Sequence, residues 1–134
     1  MIFELDSVVM PQKTVLSLIE SPTHPKLSKL YKQMGLREIQ VNSSRKAINV
    51  LKKDQPDFIV AEFFYGYGNN YAGVNVSNLD VLLSSLPKYS PNTKTIVFVQ
   101  KDELQYVKKL HDIYPLHGVF LHATPDSAIE EVLS

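Results

Sequence analysis

The stretch Pro56-Asp57-Phe58-Ile59-Val60-Ala61-Glu62 decides the fold. Four apolar residues stand between a proline that ends the preceding helical pattern and a lone carboxylate. A continuous apolar run of this length reads as a strand buried on both faces, since a half-exposed strand would alternate. Such a strand belongs to a sheet covered by helices on both sides. In alternating α/β domains, ligands and chemistry collect at the carboxyl ends of the central strands. Glu62 therefore stands where a functional group is expected.

The pattern repeats to either side. Thr14-Val15-Leu16-Ser17-Leu18-Ile19 is a first strand, and Leu27, Leu30, Tyr31 and Met34 then mark a helix over 25–34 by their spacing. Gly35 ends it as a C-terminal cap, and 36–41 is a second strand. Asn42-Ser43-Ser44 supplies N-cap chemistry for a helix to about Lys53, with Ala47, Ile48 and Leu51 inward. After the Phe58–Ala61 strand comes a loop over 63–76. Ser77 or Asn78 caps a helix bearing Leu79, Leu82, Leu83 and Leu86, and 87–94 reads as a turn-rich connector. Thr95-Ile96-Val97-Phe98-Val99 is a fourth strand. A helix over 102–114 points Leu104, Val107, Leu110 and Ile113 inward, Val119-Phe120-Leu121 is a fifth strand, and Thr124 caps a last helix with Pro125 at its first position.

Five strand–helix units in strict alternation predict a three-layer α/β sandwich. Its parallel five-stranded sheet takes the flavodoxin-like order 2-1-3-4-5. The reading is one domain over 14–134. Residues 1–13, with Phe3, Leu5, Val8, Val9 and Met10, form an added edge strand or arm, suited to pairing with a second chain.

The totals exclude several classes. The chain has 134 residues, enough for one ordinary domain without staples. Fourteen basic residues balance fourteen acidic ones, so no long-range field draws the protein to nucleic acid or an anionic membrane. With no cysteine, disulfides, thiolate metal sites and cysteine nucleophiles drop out. No run approaches the length of a membrane span, and the first six residues carry acids where a signal peptide carries bases. The expectation is a cytoplasmic protein without a cofactor.

On these residues the chain resembles the receiver domain of two-component response regulators, from about residue 14 to 134. Pro56-Asp57, four apolar residues and then an acid match the family's pattern around its phosphoacceptor aspartate, placing Glu62 at the acceptor position. Thr124-Pro125-Asp126 resembles the opening of the family's last helix. Phe120 falls where the family keeps a switching aromatic. The resemblance implies an acidic pair after the first strand, where this chain has Ile19-Glu20. It implies a Ser or Thr after the fourth strand, where Gln100 stands, and a lysine after the fifth, where Ala123 stands.

Phosphoryl transfer needs a metal clamp and a cationic group to offset charge on the transferring oxygens. With an acid and the lysine missing, and with glutamate carrying its carboxylate one methylene farther out, the resemblance implies a degenerate site. The expected function is a phosphorylation-independent pseudo-receiver, a regulatory or adaptor module and not an enzyme, working through an unknown protein partner and as a homodimer. Glutamate held farther out also resembles a phosphorylated aspartate, which would hold the domain in one conformation. A rival reading uses the same crevice to bind a small molecule or metal, or as an enzyme, with Glu62, Glu20, His122 and Gln100 as its polar groups. A third keeps phosphorylation on an unusual acceptor.

The loop after Glu62 is the second signal. Residues 63–73 hold five aromatics, Phe63, Phe64, Tyr65, Tyr67 and Tyr71, with three of the chain's five glycines and no charge. Tyrosine with glycine and asparagine is the composition of adaptable binding surfaces, and long loops at this end of a sheet are often functional. The plainer alternative packs Phe63 and Phe64 down and leaves the rest as an insertion. Gly66-Tyr67-Gly68 lacks the spacing and the position of a dinucleotide fingerprint. Glu20 and Glu62 offer too few oxygens for a hard cation. His24, His111, His117 and His122 show no metal-ligand spacing and read as ordinary surface histidines, although His122 lies where it could face Glu62. The lysines follow helix faces, without the dense aromatic-laced stripe of a nucleic-acid binder.

Overall fold

A computed structural model describes residues 12–66 and 76–134. Its five strands are β1 (Thr14–Leu18), β2 (Arg37–Val41), β3 (Phe58–Glu62), β4 (Lys94–Val99) and β5 (Gly118–Leu121). They form one parallel sheet in the order β2-β1-β3-β4-β5. The helices are α1 (Ser28–Gln33), α2 (Ser44–Asp54), α3 (Asp80–Tyr89), α4 (Leu104–Ile113) and α5 (Asp126–Leu133).

Central strands β1 and β3 are buried at every residue, as their unbroken apolar runs require. Alternate side chains feed two separate cores. Leu16, Leu18, Ile59, Ala61, Val97 and Val99 pack with Ala47 and Leu51 of α2, Leu82 and Leu83 of α3, and Val107 and Leu110 of α4. Val15, Phe58, Val60, Ile96 and Phe98 pack with Leu30 and Tyr31 of α1 and with Ile129 and Leu133 of α5. The β2 and β5 edges are half-open.

Local chemistry explains the helix ends. Gly35 takes φ +75° and ends α1 in a Schellman turn, with Gly35 N–H on the Lys32 carbonyl at 3.1 Å and Leu36 N–H on the Tyr31 carbonyl at 2.9 Å. Ser43 caps α2 by accepting from Lys46 N–H at 3.2 Å. At α3, Ser77 Oγ accepts from Leu79 N–H, and Asp80 accepts from Val76 and Ser77 N–H.

Several expectations need correction. Helix α3 runs through Pro87 to Tyr89, because a proline in the last turn forfeits only one backbone bond there. Leu104 and Ile113 of α4 are exposed, Ile113 at 52%, so the apolar stripe of α4 is narrower than its sequence implies. Thr124 does not cap α5; its hydroxyl donates to the Leu121 carbonyl at 2.7 Å, and Pro125 occupies the cap position. Of the arm expected over 1–13, Lys13 accepts from Arg37 N–H and Gln12 donates to the Gly35 carbonyl; residues 1–11 lie outside the described residues. Among the described residues no helix is long and apolar enough to cross a membrane.

Candidate functional site

All five strands run the same way, so their carboxyl ends share one rim. Between β1 and β3 the chain order reverses, which opens a crevice there. Glu62 ends β3 at that crevice and is only 1% exposed. A buried carboxylate must be paired or hydrogen-bonded, and three side chains meet this requirement. Ser21 Oγ donates to Oε1 at 2.9 Å, Thr23 Oγ1 donates to Oε2 at 2.5 Å, and His122 Nε2 lies 2.8 Å from Oε2. Ser21 and Thr23 come from the β1–α1 loop and His122 from the turn after β5. Two segments remote in sequence are thus tied to one carboxylate.

The main chain of Glu62 is held as well. Asn78 Nδ2 donates to its carbonyl at 2.9 Å and to Glu20 Oε1 at 2.8 Å, while Asn78 Oδ1 accepts from Phe64 N–H at 2.7 Å. Asn78 therefore braces the two acids of the rim and the first turn of the aromatic loop. Burial pushes the Glu20 carboxyl above the ordinary carboxylate range, the Asn78 hydrogen bond opposes this, and the nearby Glu62 charge adds to it.

The β1–α1 loop also carries His24, which is buried, contrary to the surface position its sequence suggested. Pro22 and Pro25 stand on either side of it in the chain and line the same surface cleft. Burial lowers its basicity, Glu62 and Glu38 pull the other way, and His122 opposes them. Nδ1 of His24 and Nδ1 of His122 are both buried without a hydrogen-bond partner among the described residues.

The other candidate positions are less engaged. Gln100 and Ala123 are exposed beside the rim, and His122, the residue before Ala123, is the one that reaches Glu62. Phe120 is half-buried, its ring 5.8 Å from that of Phe98, which in turn lies 5.9 Å from the His122 ring. Asp57 accepts from Thr14 N–H at 2.8 Å and so pins the start of β1. In the aromatic loop Phe63 is fully buried and Phe64 half-buried. Tyr65 stacks on Tyr106 of α4, with ring centroids 3.7 Å apart and planes at 13°. Tyr67 and Tyr71 lie outside the described residues. Among the described residues no cluster of three His, Asp or Glu could hold a metal.

Sequence reading missed Ser21 and Thr23 and saw Asn78 only as a cap candidate. Two hydroxyls in the loop after β1, facing an acid at the end of β3, were the available signal, because adjacent strand ends in a parallel sheet present their loops to one another.

No protein-family model matches the chain, and no curated protein matches it. Solved structures share its fold. A response regulator receiver protein from Burkholderia phymatum matches with TM-score 0.67 and 12% identity, over 91% of this chain and 92% of that one. The receiver domain of a sensor histidine kinase from Pseudomonas aeruginosa, with magnesium coordinated in its active-site cleft, matches with TM-score 0.68 and 10% identity over 92% and 95%. A redox sensor of the streptococci, from a family evolved from two-component response regulators, matches with TM-score 0.68 and 14% identity over 90% of this chain and 49% of that one. The chain has the flavodoxin-like receiver fold.

Proposed function

We propose that the protein is a pseudo-receiver: a regulatory module that keeps the receiver fold and works through protein contacts without being phosphorylated on Glu62. The observation that carries this reading is the engagement of both Glu62 carboxylate oxygens by the chain's own donors. An acceptor must present a free oxygen in line with the incoming phosphoryl group, beside a metal that neutralises charge. Here the carboxylate is buried and already accepts from Ser21, Thr23 and His122. The remaining acid, Glu20, is engaged by Asn78. The sensor kinase receiver holds magnesium in its active-site cleft; here the chain's own donors engage the Glu62 carboxylate at the rim.

The same bonds give glutamate a structural task. They tie the β1–α1 loop and the turn after β5 to the centre of the sheet, and so hold the rim in a single arrangement. The streptococcal redox sensor offers a parallel for a receiver fold turned to another use, although a chain without cysteine has no thiol for such chemistry.

The contact surface we assign to this module is the α4–β5 face. Val119 and Leu121 pair in register with Val97 and Val99 and so point to the same side of the sheet, yet each remains 38% exposed. Leu104 of α4, on the flank away from the α3 groove that Ile113 lines, adds exposed apolar surface. A homodimer through this face would cover them. The proposal is tested by incubating the protein with magnesium and acetyl phosphate and measuring its intact mass. No added phosphoryl group is expected; a phosphoryl adduct mapped to Glu62 refutes the reading.

A further inference from the structure

The crevice beside the Glu62 network contains a cleft of about 300 Å³ lined by Glu20, Ser21, Phe64 and Tyr65. The hydrogen bonds to Glu62 do not account for it. Its aromatic wall is built with unusual care for a residue that is 43% exposed. The Tyr65 backbone N–H donates to Glu103 at 3.0 Å, and Tyr65 bridges Ser77 across the base of the loop. Gly66, in the left-handed region at φ +68°, turns back to donate to the Val76 carbonyl at 2.7 Å. One face of the Tyr65 ring is covered by Tyr106. Tyr65 itself lines the cleft. An aromatic ring fixed in place at the wall of a cleft is a preorganised contact, since its ordering cost has been met before any ligand arrives.

The charge of the cleft is negative. Glu20 lines it and Glu62 lies close enough to raise the Glu20 pKa. Among the described residues neither acid has a lysine or arginine within ion-pair distance. The ammonium of Lys109 lies 5.7 Å from the Tyr106 ring, so it belongs to the Tyr106 end of the aromatic stack. A carboxylate next to a tyrosine ring is complementary to a cation that also has apolar surface, through Coulomb attraction and cation–π contact. A bare divalent metal would gain little, because it wants several oxygen ligands and Asn78 already holds one oxygen of Glu20.

We propose that this cleft is a binding site for a small organic cation, an alkyl- or arylalkyl-ammonium, with its nitrogen at Glu20 and its apolar body against Tyr65 and Phe64. A volume of about 300 Å³ corresponds to roughly ten non-hydrogen atoms at liquid-water density. The site is independent of whether the module acts through protein contacts. It touches that machinery through Ser21, which lines the cleft and donates to Glu62, so occupancy would be felt in the Glu62 network.

The test uses phenethylammonium as the probe and phenethyl alcohol as its neutral counterpart, titrated into the isotope-labelled 134-residue protein at constant ionic strength. Saturable amide shifts at Glu20, Ser21 and Tyr65 are expected for the amine, with affinity at least tenfold above that of the alcohol. Glu20→Gln should erase that tenfold preference, and Tyr65→Ala should weaken the amine several-fold while leaving the spectrum otherwise folded. Equal binding of amine and alcohol overturns the proposal, as does an unchanged preference in Glu20→Gln. Saturable shifts at the same amides with magnesium chloride and none with the amine overturn it too. If Glu20→Gln fails to fold, Tyr65→Ala decides alone: unchanged amine affinity refutes the site.

Discussion

Replacing His122 with alanine removes one of the three donors to a carboxylate that has almost no access to water. A hydrogen bond to a charged group is worth about 1.5–3 kcal/mol, and stripping one partner from a fully buried ion pair costs about 3–5 kcal/mol. The His122 side chain is 23% exposed, so water can enter part of the space it leaves, which places the expected cost near the lower figure, about 2 kcal/mol. For a chain of this length that corresponds to a fall in Tm of about 6–8 °C. Urea unfolding at neutral pH measures the cost, with an unchanged m-value showing that the transition is otherwise the same. The cost must also depend on Glu62. In a Glu62→Ala background the loss of His122 should cost about 0.5 kcal/mol or less, leaving a coupling energy of about 1.5 kcal/mol between the two. An equal cost in both backgrounds, or less than 0.5 kcal/mol in the parent, refutes the reasoning that His122 acts on the carboxylate.

Glu20 sets a pH dependence. Its folded-state pKa lies above the unfolded value of 4.5, so its contribution to stability is fully present below pH 4.5 and is lost as pH rises through the folded pKa. Glu20→Gln, which cannot ionise, should therefore gain stability relative to the parent between acid and neutral pH in denaturant titrations; a constant difference contradicts this. On the α4–β5 face, Leu121→Asp should reduce self-association in sedimentation experiments. Because the position is exposed, it should change stability by no more than about 0.5 kcal/mol. An unaltered oligomeric state places the contact elsewhere.

The sheet was legible in the sequence because each buried strand is a short apolar run bounded by turn residues, and because the strict alternation with helices leaves one economical strand order. Glu62 was legible for the same reason: the strand that precedes it has only one end at the rim. Its partners were not. Ser21 and Thr23 are ordinary loop hydroxyls until the register of β1 against β3 brings them to the carboxylate. His122 passes for a surface residue unless the twist and length of β5 are known, and His24 passes for one unless the fold of the Pro22–Pro25 loop is known. The exposed side of α4 was misread because helical spacing reports a stripe but not how much of that stripe the sheet covers. Leu104 and Ile113 have the right period and lie at the margins of the contact. Pro87 reads as a stop because proline breaks helix interiors, a rule that loosens in the last turn.

Two variables decide whether this rim is a phosphorylation site: whether Glu62 is free, and whether a metal can reach it. A magnesium titration followed by the carboxyl carbon resonance of Glu62 reads both at once. The resonance should stay unmoved up to millimolar magnesium, because Ser21, Thr23 and His122 already occupy the carboxylate. A saturable shift of that resonance, accompanied by release of the Ser21 or His122 hydrogen bond, would contradict the account.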